Sequence, residues 1–206
     1  MDQTKEHLDN LSEIRSLMER SSRFISLSGL SGIFAGTLAL LGAMAAYLYL
    51  KKSFSNLEDP YISFNRTDIV IFLLADASIV LILALSCGLF FSMRQAKKKG
   101  QQIWDHTSKR LFINLAIPLA AGGFFCLSLL YYAPGLVAPA TLVFYGLALL
   151  NGSKFTLDDI RYLGIAEIIL GLIATYYIGY GLLFWALGFG VLHIIYGIVM
   201  YRKYDQ

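Results

Sequence analysis

Six apolar runs follow one another along the chain, at 24–50, 69–93, 111–131, 135–150, 162–178 and 182–201. A helix needs about 20 apolar residues, at ~1.5 Å each, to cross the hydrocarbon layer of a bilayer. Four of the runs meet that length, and the fourth and fifth reach it only by taking in flanking turns. Charged residues make up only 15% of the sequence against 57% hydrophobic, where a soluble domain carries about 25% charged. A water-soluble fold of 206 residues cannot hide so much apolar surface; a bilayer can, because lipid replaces the polar exterior. The expected fold is therefore all-α, a polytopic membrane bundle of six transmembrane helices arranged as three helical hairpins. Residues 1–23 precede it as a cytoplasmic amphipathic helix, 24–201 form the transmembrane domain and 202–206 a cytoplasmic tail. The first run is too long for the apolar core of a signal peptide and reads as an uncleaved helix.

Placing six spans puts fourteen of the seventeen Lys and Arg residues on one side, leaving Lys51, Lys52 and Arg66 on the other. Basic residues collect on the cytoplasmic side, so both termini are expected there, in a cell (inner) membrane. Aromatic residues such as Tyr131, Tyr132, Tyr176 and Trp185 mark the outer ends, and Phe155, Tyr162 and Tyr201 the inner ends. They form two interfacial belts. Arg110 and Arg161 are 51 residues apart, as are Tyr145-Gly146 and Tyr196-Gly197. That spacing leaves open either duplication of a two-helix unit or mere similarity of apolar composition.

In the N-terminal segment Leu8, Leu11, Ile14, Leu17 and Met18 recur at helical spacing, with acids and bases between them. Such a helix lies on the membrane, packs under the bundle or receives a cytoplasmic protein partner. The cluster Arg94, Lys97, Lys98 and Lys99 suits anionic lipid headgroups at the cytoplasmic face, at about 1 kcal/mol per basic residue. Beside apolar spans, the net charge of +3 reflects topology and lipid contact, so no nucleic-acid partner is expected. Cys87 and Cys126 sit within apolar runs and form no CxxC.

Asp76, Glu167 and His193 are ionisable residues well inside the spans. Such groups are costly in lipid and face a bundle interior or a cavity. Glu167 and His193 fall at similar inner depths on consecutive helices, which places a hydrogen bond between them within reach. Asp76 lies nearer the outer face. Together the three outline a proton or cation pathway or a ligand pocket; a buried polar pair that merely joins helices is the plainer alternative. Ser28, Gly32 and Gly36 form a small-residue ridge on the first span that lets another helix approach closely. That neighbour is either internal or a second copy of the chain. Pro118 interrupts the third run, and Thr156 is placed to cap the fifth helix with Asp158 and Asp159 in its first turn. No HExxH, P-loop, GxGxxG or metal-ligand cluster is present, so neither cofactor nor metal is expected.

The stretch from Ile14 through Arg23-Phe24 into Ser28-Gly29-Leu30-Ser31-Gly32, with the ending Gly188 to His193 and Tyr196-Gly197, resembles the uncharacterised small six-helix inner-membrane proteins of bacteria. The resemblance implies topology and no activity. Gly29-Leu30-Ser31-Gly32 also resembles the GxSG string of rhomboid intramembrane serine proteases, which would make Ser31 a nucleophile and His193 its base. In rhomboids, however, that serine is on the fourth core helix near the outer face, whereas Ser31 is on the first span near the inner face. The functional expectation is a non-enzymatic sensing, scaffolding or regulatory module. The alternatives are a small proton or cation transporter or channel and, more distantly, a serine hydrolase.

Overall fold

A computed structural model describes residues 28–55, 66–98 and 106–205. The amphipathic segment 1–23, the first residues of the first apolar run and Lys99 lie outside the described residues. Among those described, the chain is helical throughout with no strand. Helix α1 is Gly29–Ser55, α2 Arg66–Lys98, α3 His106–Tyr132, α4 Val137–Gly152 and α5 Asp159–Tyr176. The sixth helix, α6, covers 181–205 and alternates between windings: α-helical Gly181–Trp185, π-helical Ala186–Leu192, α-helical His193–Met200 and π-helical Tyr201–Asp205.

Five of the six helices are long and apolar enough to cross a membrane: α1, α2, α3, α4 with its flanking turns, and α6. Helix α5 has 18 residues and carries Asp159, Arg161 and Glu167 among them, which sets it apart from the others. Pro118 sits inside α3 without breaking it, since the helix continues from His106 to Tyr132. The fifth helix starts later than its sequence suggests. Asp158 holds the N-cap position, while the buried Thr156 closes the preceding turn Ser153–Phe155.

Packing follows the glycines. A Cβ on Gly197 of α6 would lie 2.5 Å from the Ile33 nitrogen and 2.7 Å from the Gly29 carbonyl oxygen of α1. One on Gly36 of α1 would lie 2.6 Å from the Gly190 oxygen and 2.9 Å from the Ile194 nitrogen of α6. A Cβ on Gly32 would lie 3.0 Å from Gly197 Cα. The small ridge on α1 is thus an internal seam with α6, where backbones meet because no side chain intervenes. Helices α4 and α5 repeat the device: a Cβ on Gly146 would lie 2.6 Å from the Gly164 oxygen and 2.9 Å from the Ile168 nitrogen. Tyr145-Gly146 and Tyr196-Gly197 therefore do the same work 51 residues apart, each glycine seated on a Gly-x-x-x-Ile stretch of its neighbour.

Helix α1 also packs along α2, and α3 along α4, as two of the three expected hairpins require. The third hairpin is looser, because α5 lies mainly against α4 and α6 mainly against α1. Helices α2 and α3 make no extensive contact with one another. At one end of the bundle Asp205 ties three helices together. Its carboxylate accepts from Ser28 Oγ at 2.8 Å and the Gly29 amide at 2.9 Å, capping α1, and from Gln95 Nε2 of α2 at 3.0 Å. A carboxylate there suits the positive end of the α1 dipole.

Candidate functional site

The gap between α2 and α3 opens into a cleft of about 420 Å³, within the ~300–1,000 Å³ typical of small-molecule sites. Its walls are aliphatic, with Leu81 and Leu85 from α2 and Leu119 from α3, and the small Ala84, Gly122 and Gly123 leave the space between them. Phe144, Trp185 and Phe189 add aromatic surface deeper in. The rings of Phe189 and Trp185 are 5.0 Å apart, and those of Phe189 and Tyr145 4.9 Å.

The polar groups lie where α4 and α6 meet. Tyr145 Oη is 2.7 Å from His193 Nε2, and His193 Nδ1 is 3.0 Å from the Gly188 carbonyl oxygen. A carbonyl only accepts, so Nδ1 carries the proton and donates to it. In an uncharged ring Nε2 then offers a lone pair, and the Tyr145 hydroxyl donates to it. Gly188 lies in the π-helical winding Ala186–Leu192 that precedes His193, and its carbonyl is where the imidazole finds its partner.

Behind His193 sits Glu167, with none of its surface exposed. Its Oε1 is 3.4 Å from His193 Nδ1, so the two side chains meet as their depths suggested. The contact is not a hydrogen bond, since the Nδ1 proton points to Gly188, and among the described residues neither Glu167 oxygen has a hydrogen-bond partner. A polar group left without partners in so dry a place is costly. A Cβ on Gly188 would lie 2.5 Å from Glu167 Oε2, so the missing side chain at 188 is what admits the carboxyl.

Asp76 is not part of this group. It is half-buried against Gly42 of α1, where a Cβ would lie 3.4 Å from Asp76 Oδ2. Along α1, Gly42 is six to ten residues beyond the Gly32–Gly36 level of His193, about 9–15 Å at ~1.5 Å per residue. Asp76 is not among the residues that line the cleft, although Val80, one turn further along α2 and also against Gly42, is. The three residues therefore do not line one path. Nor do Ser31 and His193 form a hydrolytic pair. Ser31 Oγ donates to the Ser28 carbonyl at 2.5 Å, and both imidazole nitrogens are engaged elsewhere. Arg94, Lys97 and Lys98 stand exposed at the end of α2. Among the described residues no group of His, Cys, Asp or Glu is placed to hold a metal ion.

Comparison with family models, curated proteins and solved structures finds no match for this chain. The site must be read from its own chemistry. Sequence reasoning missed Tyr145, which reads as one more aromatic residue of an apolar run. The signal available was its place in the Tyr-Gly pair that recurs 51 residues later.

At the Asp205 end a second polar cluster joins α5 to α6. Lys203 Nζ donates to Asp159 Oδ2 at 3.0 Å and the Tyr204 hydroxyl to the same oxygen at 2.7 Å. Partial burial pushes the Asp159 carboxyl up, and the hydrogen bonds from Tyr204 and Lys203 outweigh it, holding the group below the usual aspartate range.

Proposed function

We propose that the chain is a six-span inner-membrane protein with both termini cytoplasmic, acting as a non-enzymatic sensing module that binds an amphiphile drawn from the bilayer. The observation that carries the binding is the cleft between α2 and α3, whose walls do not pack on each other and whose depth ends on the Tyr145–His193 pair. An apolar mouth at membrane level suits a hydrocarbon body, and a few convergent polar groups suit one polar end. Six spans are supported by where α5 keeps its charges: Glu167 is fully buried, and Asp159 and Arg161 fall in its first turn. The orientation rests on the charge bias and on the gathering of Lys203, Asp205, Gln95 and Asp159 at one end. Arg94, Lys97 and Lys98 would meet anionic lipid at that end.

The test is photolabelling in nanodiscs with an alkyl chain bearing a diazirine. Adducts should concentrate on Leu81, Leu85, Leu119 and Phe144, and Ala84→Trp, which fills the cleft, should remove them. Even labelling of outward residues such as Leu41 and Phe112, unchanged by Ala84→Trp, would overturn the proposal.

A further inference from the structure

The polar end of the cleft is lined by Tyr145, His193, Thr141 and Cys126, and their hydrogens are already engaged. Tyr145 donates to His193 Nε2 at 2.7 Å, and Thr141 Oγ1 donates to the Ala138 carbonyl at 2.7 Å. The His193 Nδ1 proton goes to Gly188, and the Cys126 thiol points, weakly, at the Val137 carbonyl 4.0 Å away. What these groups show to the cleft is therefore lone pairs. Among the lining side chains the remaining N–H donor is the Trp185 indole, two helical turns from His193.

We infer that the cleft takes an uncharged amphiphile whose polar end is a hydrogen-bond donor, an alcohol-headed lipid, with the hydroxyl hydrogen given to Tyr145 Oη or Thr141 Oγ1. This rests on the proposed ligand-binding role. At the Tyr145–His193 end, two helical turns from the Trp185 indole, a ligand headed by a carbonyl or an ether brings only acceptors and meets acceptors. Among the described residues that line the cleft an anionic head finds no cation. Nor, among the described residues, does an ammonium head find an anion, because Glu167 is closed off behind His193 and Gly188. Desolvating either charge without a partner is prohibitive.

Trp185 lines the cleft and is one of two tryptophans, so Trp104→Phe leaves it as the sole reporter. Quenching of Trp185 in that variant is titrated with three brominated long-chain probes: the alcohol, its methyl ether and its carboxylic acid at about pH 8. The alcohol should bind at least about fivefold more tightly than the ether, as one hydrogen bond implies, and the acid more weakly still. When Thr141→Val is combined with Tyr145→Phe and His193→Phe, which removes the hydroxyl acceptors together with the Nε2 that Tyr145→Phe alone would free, the preference for alcohol over ether should shrink. Equal binding of alcohol and ether, or tighter binding of the acid, would overturn the inference and leave ligand binding standing. Quenching by none of the three would overturn both.

Discussion

The hydroxyl of Tyr145 on α4 donates to Nε2 of His193 on α6 across 2.7 Å, and the same imidazole is held from its other side by the Gly188 carbonyl at 3.0 Å. This bond joins two helices that come from different hairpins. Tyr145→Phe keeps the ring and its packing and leaves Nε2 without a donor. The expected loss is about 1–2 kcal/mol, with a coupling to His193→Phe of about 0.5–1.5 kcal/mol, the range of buried bonds between membrane helices. A double-mutant cycle on unfolding in mixed micelles measures it; additive effects would deny the bond.

Glu167 behaves differently, because its carboxyl touches His193 at 3.4 Å without a hydrogen bond. Glu167→Gln should stay within about 1 kcal/mol of the parent. Glu167→Met, which fills similar space with no polar atom, should be neutral or stabilising, as unpartnered buried polar groups generally allow. A loss above about 2 kcal/mol in Glu167→Met would mean that the carboxyl has a partner.

Two alanine substitutions separate close packing from open space. Gly197→Ala drives a methyl to within 2.5 Å of the Ile33 backbone nitrogen, and neither backbone can yield cheaply. It should cost about 1–3 kcal/mol, as overpacking does. Gly88→Ala on α2 meets nothing within 4 Å and should be neutral or stabilise slightly through helix propensity, by up to about 1 kcal/mol. The two unfolding curves, compared with the parent, check the assignment of α6 rather than α2 as the tightly seated helix.

The first run's ridge, the burial of Glu167 and its closeness to His193 were legible in the sequence, because they depend on residue size and on depth along a helix. Ser28, Gly32 and Gly36 announce a close approach, although only the fold shows that α6 is the helix that makes it. Asp76 was grouped with Glu167 and His193 because all three are ionisable within apolar runs, and only the fold shows it against Gly42 of α1, outside the cleft. Tyr145 went unseen for a related reason. An aromatic residue in an apolar run gives no sign of its partner, which here lies on α6, two helices further along the chain. The cleft itself is an unmade contact between α2 and α3, and sequence patterns report contacts that form.

Asp159 gives a pH dependence with a definite sign. Its folded value is depressed below that of the unfolded chain, where aspartate titrates near pH 4. The contribution is therefore fully present above about pH 4 and is lost as the pH falls through the folded value. The stability difference between parent and Asp159→Asn should be constant near neutrality and shrink towards zero on acidification below about pH 4. A difference that grew on acidification would contradict the Lys203–Asp159–Tyr204 cluster.

The most direct measurement is an experimental structure of the protein grown from a lipid mesophase containing a long-chain alcohol. Continuous elongated density should run between α2 and α3, past Leu81 and Leu119, and end within hydrogen-bonding reach of Tyr145 Oη or Thr141 Oγ1. A seam closed by α2 packed directly on α3, with no density inside it, would contradict the lateral cleft and the ligand-binding role built on it.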